Sequence, residues 1–149
     1  MIIVCDVDGT LSNHDHRIGL VTGPKKDYEA YYSKMYLDVP FPEAQRVLKS
    51  FTLNPALGFW LLTGRPERYR AATEAWLREH FSFLTRYHLF MRPDGDYTKA
   101  SIFKERVLQS KLIAEELEPI FIDDDLRNAE MYSRYGIFLK APECWEVIR

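Results

Sequence analysis

The sequence predicts an α/β domain: a mostly parallel sheet with helices on both faces and a short insertion behind the first strand. Apolar runs of strand length, at 1–5, 57–62, 87–91 and 118–122, alternate with segments of helical periodicity, as parallel sheets built from strand–helix–strand units require. The strand ends, or the helices that follow them, carry the polar residues of the chain that look chemical. A length of 149 residues is one domain's worth, enough to bury roughly 68–70% of the unfolded surface without help from a disulfide or metal.

The first element is Met1 to Cys5, an apolar, β-branched run suited to a fully buried strand. Asp6 and Asp8 follow two positions apart, so strand alternation points them the same way, and Gly9 allows a sharp turn before Thr10. Two acids at the end of a buried strand need an opposite charge nearby, either a metal or a Lys/Arg. Leu11 to Arg17 is polar, and Thr22-Gly23-Pro24 is a turn. Gly19 to Lys26 lacks the glycine spacing and the Ser/Thr of an ATP phosphate loop. A short helix is expected over 25–37, with Tyr28, Tyr31, Tyr32 and Met35 on one face. That face either packs on the body of the domain or forms an aromatic lid on which a base could stack.

Phe41-Pro42 opens a helix with a stripe of Ala44, Val47, Leu48 and Phe51. The strand 57–62 ends at Thr63-Gly64-Arg65, and Pro66 starts a helix whose Tyr69, Thr73, Trp76, Leu77, His80 and Phe81 share a face. His80 reads as a helix-end cation or packed residue, not a ligand. After the strand 87–91 and a turn-rich loop, a helix over about 101–116 carries Lys104 in its first turns. The strand 118–122 again ends in acids, Asp123-Asp124-Asp125. A helix over about 126–135 is closed by Gly136 as a left-handed cap, and 137–139 and 145–148 read as edge strands.

In a parallel sheet the strand ends line one edge, so Asp6, Asp8, Thr63, Lys104, Asp123 and Asp124 are expected to converge. The set suits phosphoryl transfer. Asp6 would be a carboxylate nucleophile, and Asp8 would protonate the leaving oxygen and then deprotonate water. Thr63 and nearby backbone N–H groups would hold phosphoryl oxygens, and Lys104 would neutralise charge. Mg²⁺ takes hard oxygen ligands; Asp6, Asp8, Asp123 and Asp124 are the candidates.

Asp6-Val-Asp8-Gly9-Thr10, Leu61-Leu62-Thr63-Gly64-Arg65, Lys104 and Asp123-Asp124 resemble the four ordered motifs of the haloacid dehalogenase (HAD) superfamily. Within it the chain is most similar to the phosphatase domain of phage-type polynucleotide kinase-phosphatases. Ser12 to Arg17, ending in His-Arg, Lys26-Asp27-Tyr28, Thr63 to Glu67, Thr73 to Leu77, Met91 to Tyr97 and Glu143 to Val147 carry that likeness. The resemblance implies a Rossmann-like three-layer fold, a small lid insertion at about 12–40 in a single domain spanning 1–149, Mg²⁺ and no other cofactor. It also implies a phosphorylated nucleic-acid end or nucleotide as substrate. Arg17 and Arg65 match arginines that recognise phosphate in the family, and Thr10 and Gly64 join them as candidate substrate-binding residues. Two departures bear on substrate choice. Ala100 stands where an acid often precedes the motif lysine, and Asp125 where arginine often follows the Asp pair. No phosphate-binding loop of a kinase half is present.

The expected activity is therefore removal of a 3′-phosphate from polynucleotide ends. The alternatives are hydrolysis of nucleoside monophosphates and a non-catalytic module that binds phosphorylated ends. A net charge of −2 excludes a global basic field for wrapping duplexes. No apolar run is long enough for a membrane span, the N-terminus lacks signal-peptide features, and the two cysteines are expected to be reduced thiols of a cytoplasmic protein.

Overall fold

In the computed structural model, which describes residues 1–112 and 118–147, the chain runs through fourteen helices and strands. They are β1 (Ile2–Cys5), β2 (Ser12–Asn13), α1 (Asp15–Thr22), α2 (Tyr28–Ser33), β3 (Val39–Pro40), α3 (Pro42–Phe51), β4 (Gly58–Pro66), α4 (Arg70–His80), β5 (His88–Arg92), α5 (Ala100–Lys111), β6 (Pro119–Asp123), α6 (Ala129–Ser133), β7 (Ile137–Lys140) and α7 (Glu143–Val147). Single 3-10 turns at Met35–Leu37, Glu67–Tyr69 and Leu126–Asn128 lead into or out of them.

β1 is apolar at every position because it lies at the centre of a five-stranded sheet of order β5-β4-β1-β6-β7, with every pairing parallel. Alternation divides the core. Ile3, Cys5, Phe59, Leu61 and Ile122 face one way, against Ala44, Val47 and Leu48 of α3, Trp76 and Leu77 of α4 and Trp145 of α7. Ile2, Val4, Trp60, Leu62 and Phe121 face the other, against Phe103 and Leu108 of α5 and Met131 and Tyr132 of α6. This is the expected Rossmann-like three-layer arrangement. The chain moves outward from β1 through β4 to β5, then crosses to β6 on the other side. That reversal opens a crevice at the carboxyl ends of β1, β4 and β6, where ligands bind in open α/β sheets.

Residues 11–41 cover this edge. β2 and β3 pair antiparallel, Ser12 with Pro40 and Asn13 with Val39, so the segment leaves and rejoins the domain at one place. Between them lie α1, α2 and the Met35–Leu37 turn. Asp27 caps α2 by accepting from the Ala30 N–H at 2.9 Å. Tyr31 and Met35 turn inward while Tyr28 stays half-exposed.

Several expectations are corrected. No helix was expected at α1, because its inward residue is an arginine, Arg17, and apolar periodicity does not register a charged inner face. The helix expected over 25–37 is the shorter α2 followed by a 3-10 turn. β4 continues through Thr63 to Pro66, with a shift of register between Thr63 and Pro66, so helical structure begins at Glu67. The stretch 145–148 is no strand: α7 occupies Glu143–Val147, opened by the Trp145 N–H bond to the Pro142 carbonyl at 3.0 Å, and Ile148 lies outside the described residues. Residues 113–117, the expected end of α5, also lie outside them. Gly136 is not left-handed, since Gly9 and Gly95 are the glycines with positive φ among the described residues. It is small for another reason: a Cβ there would strike the Pro119 carbonyl. Among the described residues no helix is long and apolar enough to cross a membrane.

Candidate active site

β1 and β6 are neighbours in register, Cys5 beside Ile122, so their next residues, Asp6 and Asp123, emerge side by side. Lys104, from the second turn of α5, reaches between them. Its Nζ lies 3.0 Å from Asp6 Oδ1 and 2.6 Å from Asp123 Oδ2, and all three are buried. Asp123 is the most firmly held. Its Oδ2 also accepts from Asn128 Nδ2 at 3.1 Å and the Tyr132 hydroxyl at 3.0 Å, and its Oδ1 from the Asp125 N–H at 2.8 Å. Burial alone would lower the Lys104 ammonium, but Asp123 and Asp6 outweigh it and keep the lysine charged. Burial pushes the Asp6 carboxyl up; Lys104 pulls it back, and Asp123 and Asp124 add to the rise.

The turn after β1 fixes Asp124. Gly9 has φ +77°, and a Cβ there would collide with the Asp124 carboxylate, so only glycine lets the two loops close. The Thr10 hydroxyl accepts from the Asp124 N–H at 3.1 Å, and its carbonyl accepts from the Trp145 indole at 3.0 Å. Expected among the substrate-binding residues, Thr10 is fully buried and braces the β1 loop against the β6 loop.

Asp6, Asp123 and Asp124 each offer an oxygen within 4.8 Å of the others. Three carboxylates against one ammonium leave an excess of negative charge in a nearly dry place, and burial together with Asp123 pushes Asp124 up to about 7. All-oxygen donors and that excess fit a hard divalent cation. Asp8, expected as a fourth metal ligand, is outside this group. Its carboxylate is held by arginines instead.

Arg65 Nε lies 3.0 Å from Asp8 Oδ2 and its Nη2 2.8 Å from Oδ1, while its Nη1 donates to the Thr73 hydroxyl at 3.1 Å. Arg17 Nη2 also donates to Asp8 Oδ1. Burial would raise the Asp8 carboxyl, but Arg65 and then Arg17 hold it far below the usual carboxylate range. Arg17 is itself clamped. Its Nε and Nη2 donate to the two oxygens of Asp38 at 2.7 and 2.5 Å, and its guanidinium lies 4.1 Å over the Tyr31 ring. Asp38 takes a further contact from His16 Nε2 at 2.7 Å, and its carbonyl accepts from the Trp76 indole at 2.9 Å. Asp38 was missed in the sequence, where an acid before Val39-Pro40 carries no motif. Two cations at 17 and 65 with only Asp8 to balance them were the available hint.

The remaining expected residues take their places around this set. Thr63 is fully buried at the end of β4, and its oxygen accepts from the Arg65 N–H at 3.2 Å, which leaves the hydroxyl proton free to donate. The Gly64 carbonyl accepts from the Tyr32 hydroxyl at 3.2 Å and Arg92 Nε at 3.1 Å. His14 pairs through Nδ1 with the Tyr31 hydroxyl at 2.8 Å, and burial pushes its imidazole down. Asp125 caps the following 3-10 turn by accepting from the Arg127 N–H. Cys5 and Cys144 are both buried, and burial raises both thiols, Cys144 to about 11; neither is poised as a nucleophile.

A Rossmann-like sheet whose central strand ends in Asp-x-Asp, faced by a buried lysine and a second acidic pair, defines a HAD-type phosphatase. Within that class the chain belongs to the family of the polynucleotide kinase PNKP phosphatase domain, whose model matches residues 1–147. Among solved structures it is similar to a chain of the Pnkp1/Rnl/Hen1 RNA repair complex, with a TM-score of 0.77 and 25% identity, over 94% of this chain and 42% of that one. A chain of a second Pnkp1/Rnl/Hen1 complex gives 0.72 and 26%, over 93% and 44%. The chain thus spans less than half the length of those two. The HAD domain of the effector Lem4 from Legionella pneumophila shares the fold, at a TM-score of 0.59 and 15% identity over 99% and 90%. No curated protein matches the sequence.

Proposed function

We propose that this phosphatase is a Mg²⁺-dependent phosphomonoesterase that removes 3′-phosphates from polynucleotide ends through an aspartyl-phosphate. One observation carries the reading. A buried carboxylate, Asp6, sits beside a charged lysine at 3.0 Å, while two buried arginines converge on the neighbouring Asp8. Arginine pairs of this kind match a phosphate better than a single carboxylate, because phosphate offers more oxygens and more charge to planar forks.

An incoming terminal phosphate competes with Asp8 for Arg17 and Arg65. Asp8, ionised while the arginines hold it, takes up a proton from solvent once they turn to the phosphate. Asp6 then attacks phosphorus as the ester bond breaks, and Asp8 passes that proton to the leaving oxygen. Asp8 then takes a proton from water, which attacks the acyl phosphate and releases inorganic phosphate, restoring Asp6. Thr63 donates to a phosphoryl oxygen, and Lys104 balances the charge that develops. A divalent ion held by Asp6, Asp123 and Asp124 would supply further charge to the same oxygens. The family match and the setting of the two similar chains in RNA repair complexes favour a nucleic-acid end over a free metabolite.

Phosphate release from a 3′-phosphorylated oligonucleotide, a 5′-phosphorylated oligonucleotide and nucleoside monophosphates, with and without Mg²⁺, tests it. The 3′-phosphorylated oligonucleotide is expected to give the highest kcat/KM, and chelation to end turnover. Preference for mononucleotides would replace the polynucleotide reading with a nucleotidase.

A further inference from the structure

We propose that Tyr28 is the stacking platform for the nucleobase of the nucleotide whose phosphate reacts, an inference that rests on the polynucleotide reading above. The ring belongs to a run of three that starts at the wall of the active site. Tyr32 is anchored there through its hydroxyl to the Gly64 carbonyl, between Thr63 and Arg65. Burial pushes its phenol up, and the charge of Asp8 adds to the rise. Tyr69, on the turn after β4, lies 5.5 Å from Tyr32. Tyr28 stacks on Tyr32 as well, with centroids 6.4 Å apart and planes 25° apart.

The run ends in water at Tyr28, which is 51% exposed. The inward face of this segment is already supplied by Tyr31 and Met35, so core packing does not account for an aromatic at position 28. Arg127, on the 3-10 turn that follows the acidic end of β6, offers the second planar group. Its guanidinium is held flat by the Asp125 carboxylate at 2.8 and 2.9 Å, yet its side chain is 89% exposed. An aromatic ring and a planar guanidinium that both open to solvent beside a phosphate site suit an unstacked base, which has a π-face of any sequence. The sugar joins that base to the phosphate held by Arg17 and Arg65, so one nucleotide spans both subsites.

The test is a ratio of kcat/KM between two oligonucleotides with a 3′-phosphate, one ending in thymidine and one ending in an abasic tetrahydrofuran residue. Wild type is expected to favour the base roughly ten- to hundredfold, the size of one base–aromatic stack. Tyr28→Phe should keep the ratio, and Tyr28→Leu, which retains apolar bulk, should bring it near one. Equal turnover of the two substrates by wild type, or an undiminished ratio in Tyr28→Leu, overturns the platform while leaving the polynucleotide reading intact. Activity on p-nitrophenyl phosphate with none on either oligonucleotide takes down both.

Discussion

Asp6 and Arg65 separate chemistry from recognition. An amide at position 6 has nearly the shape of the carboxylate and keeps a contact with Lys104, but cannot form an acyl phosphate. Asp6→Asn is therefore expected to lose more activity than the roughly 10²–10³ typical of one lost oxyanion donor, with a melting temperature close to wild type. A residual tenth of wild-type turnover would remove Asp6 from the nucleophile's role. Arg65 bridges Asp8 and Thr73 from a fully buried position with three different nitrogens. Lysine has one nitrogen and cannot span them. Arg65→Lys should lower kcat/KM at least about tenfold, the worth of a charge-assisted bond of roughly 1.5–3 kcal/mol. A loss confined to KM would mean that the arginine binds substrate and transition state alike.

The covering segment acts through one buried acid. Asp38 closes the 3-10 turn before β3; its carbonyl takes the Trp76 indole of α4 and its carboxylate takes Arg17 of α1, so one residue docks the segment and aims the arginine. Removing one partner of a buried pair strands the other charge and costs about 3–5 kcal/mol. Asp38→Asn is expected to lower the melting temperature and also to cut kcat/KM on the best substrate. Asp38→Glu, which keeps the charge, should recover more of the activity than Asn does. Loss of stability with full kcat/KM in the surviving folded enzyme would make Asp38 a docking residue alone.

The whole molecule carries an excess of buried acid at one sheet edge, and its stability should register that. Asp6 and Asp124 hold their protons to higher pH when folded than when unfolded. The folded state then binds the extra protons, so this contribution fades as pH rises from about 4 to about 7. His14 works the other way, because burial lowers its pKa and unfolding lets it take a proton near neutrality. The Asp8 contribution stays complete until pH falls below about 4, outside this range. Metal-free wild type is expected to lose more thermal stability between about pH 5 and about pH 8 than Asp124→Asn does. Mg²⁺ should restore wild type chiefly at the upper pH, since binding only the folded state stabilises it. Scanning calorimetry at the two pH values with and without Mg²⁺ reads both effects; identical pH slopes for the two proteins would rule out Asp124 as the source.

The sequence by itself determined the sheet and its chemical edge. Strand alternation and apolar runs are local properties, so β1, β4, β5 and β6 are legible, and with them the order in which Asp6, Thr63, Lys104 and Asp123 arrive at one edge. Only the tertiary structure decided what each polar group pairs with. Asp8 was legible as an acid beside Asp6, yet its partners Arg17 and Arg65 come from 9 and 57 residues away, a separation at which local pattern carries no signal. The same holds for α1, whose buried face is a cation satisfied by Asp38 from 21 residues on. It holds too for α7, whose Trp145 is drawn inward by a carbonyl 135 residues earlier. Apolar burial can be read residue by residue, because every neighbour will do. A buried charge needs one particular partner, and folding alone brings that partner to it.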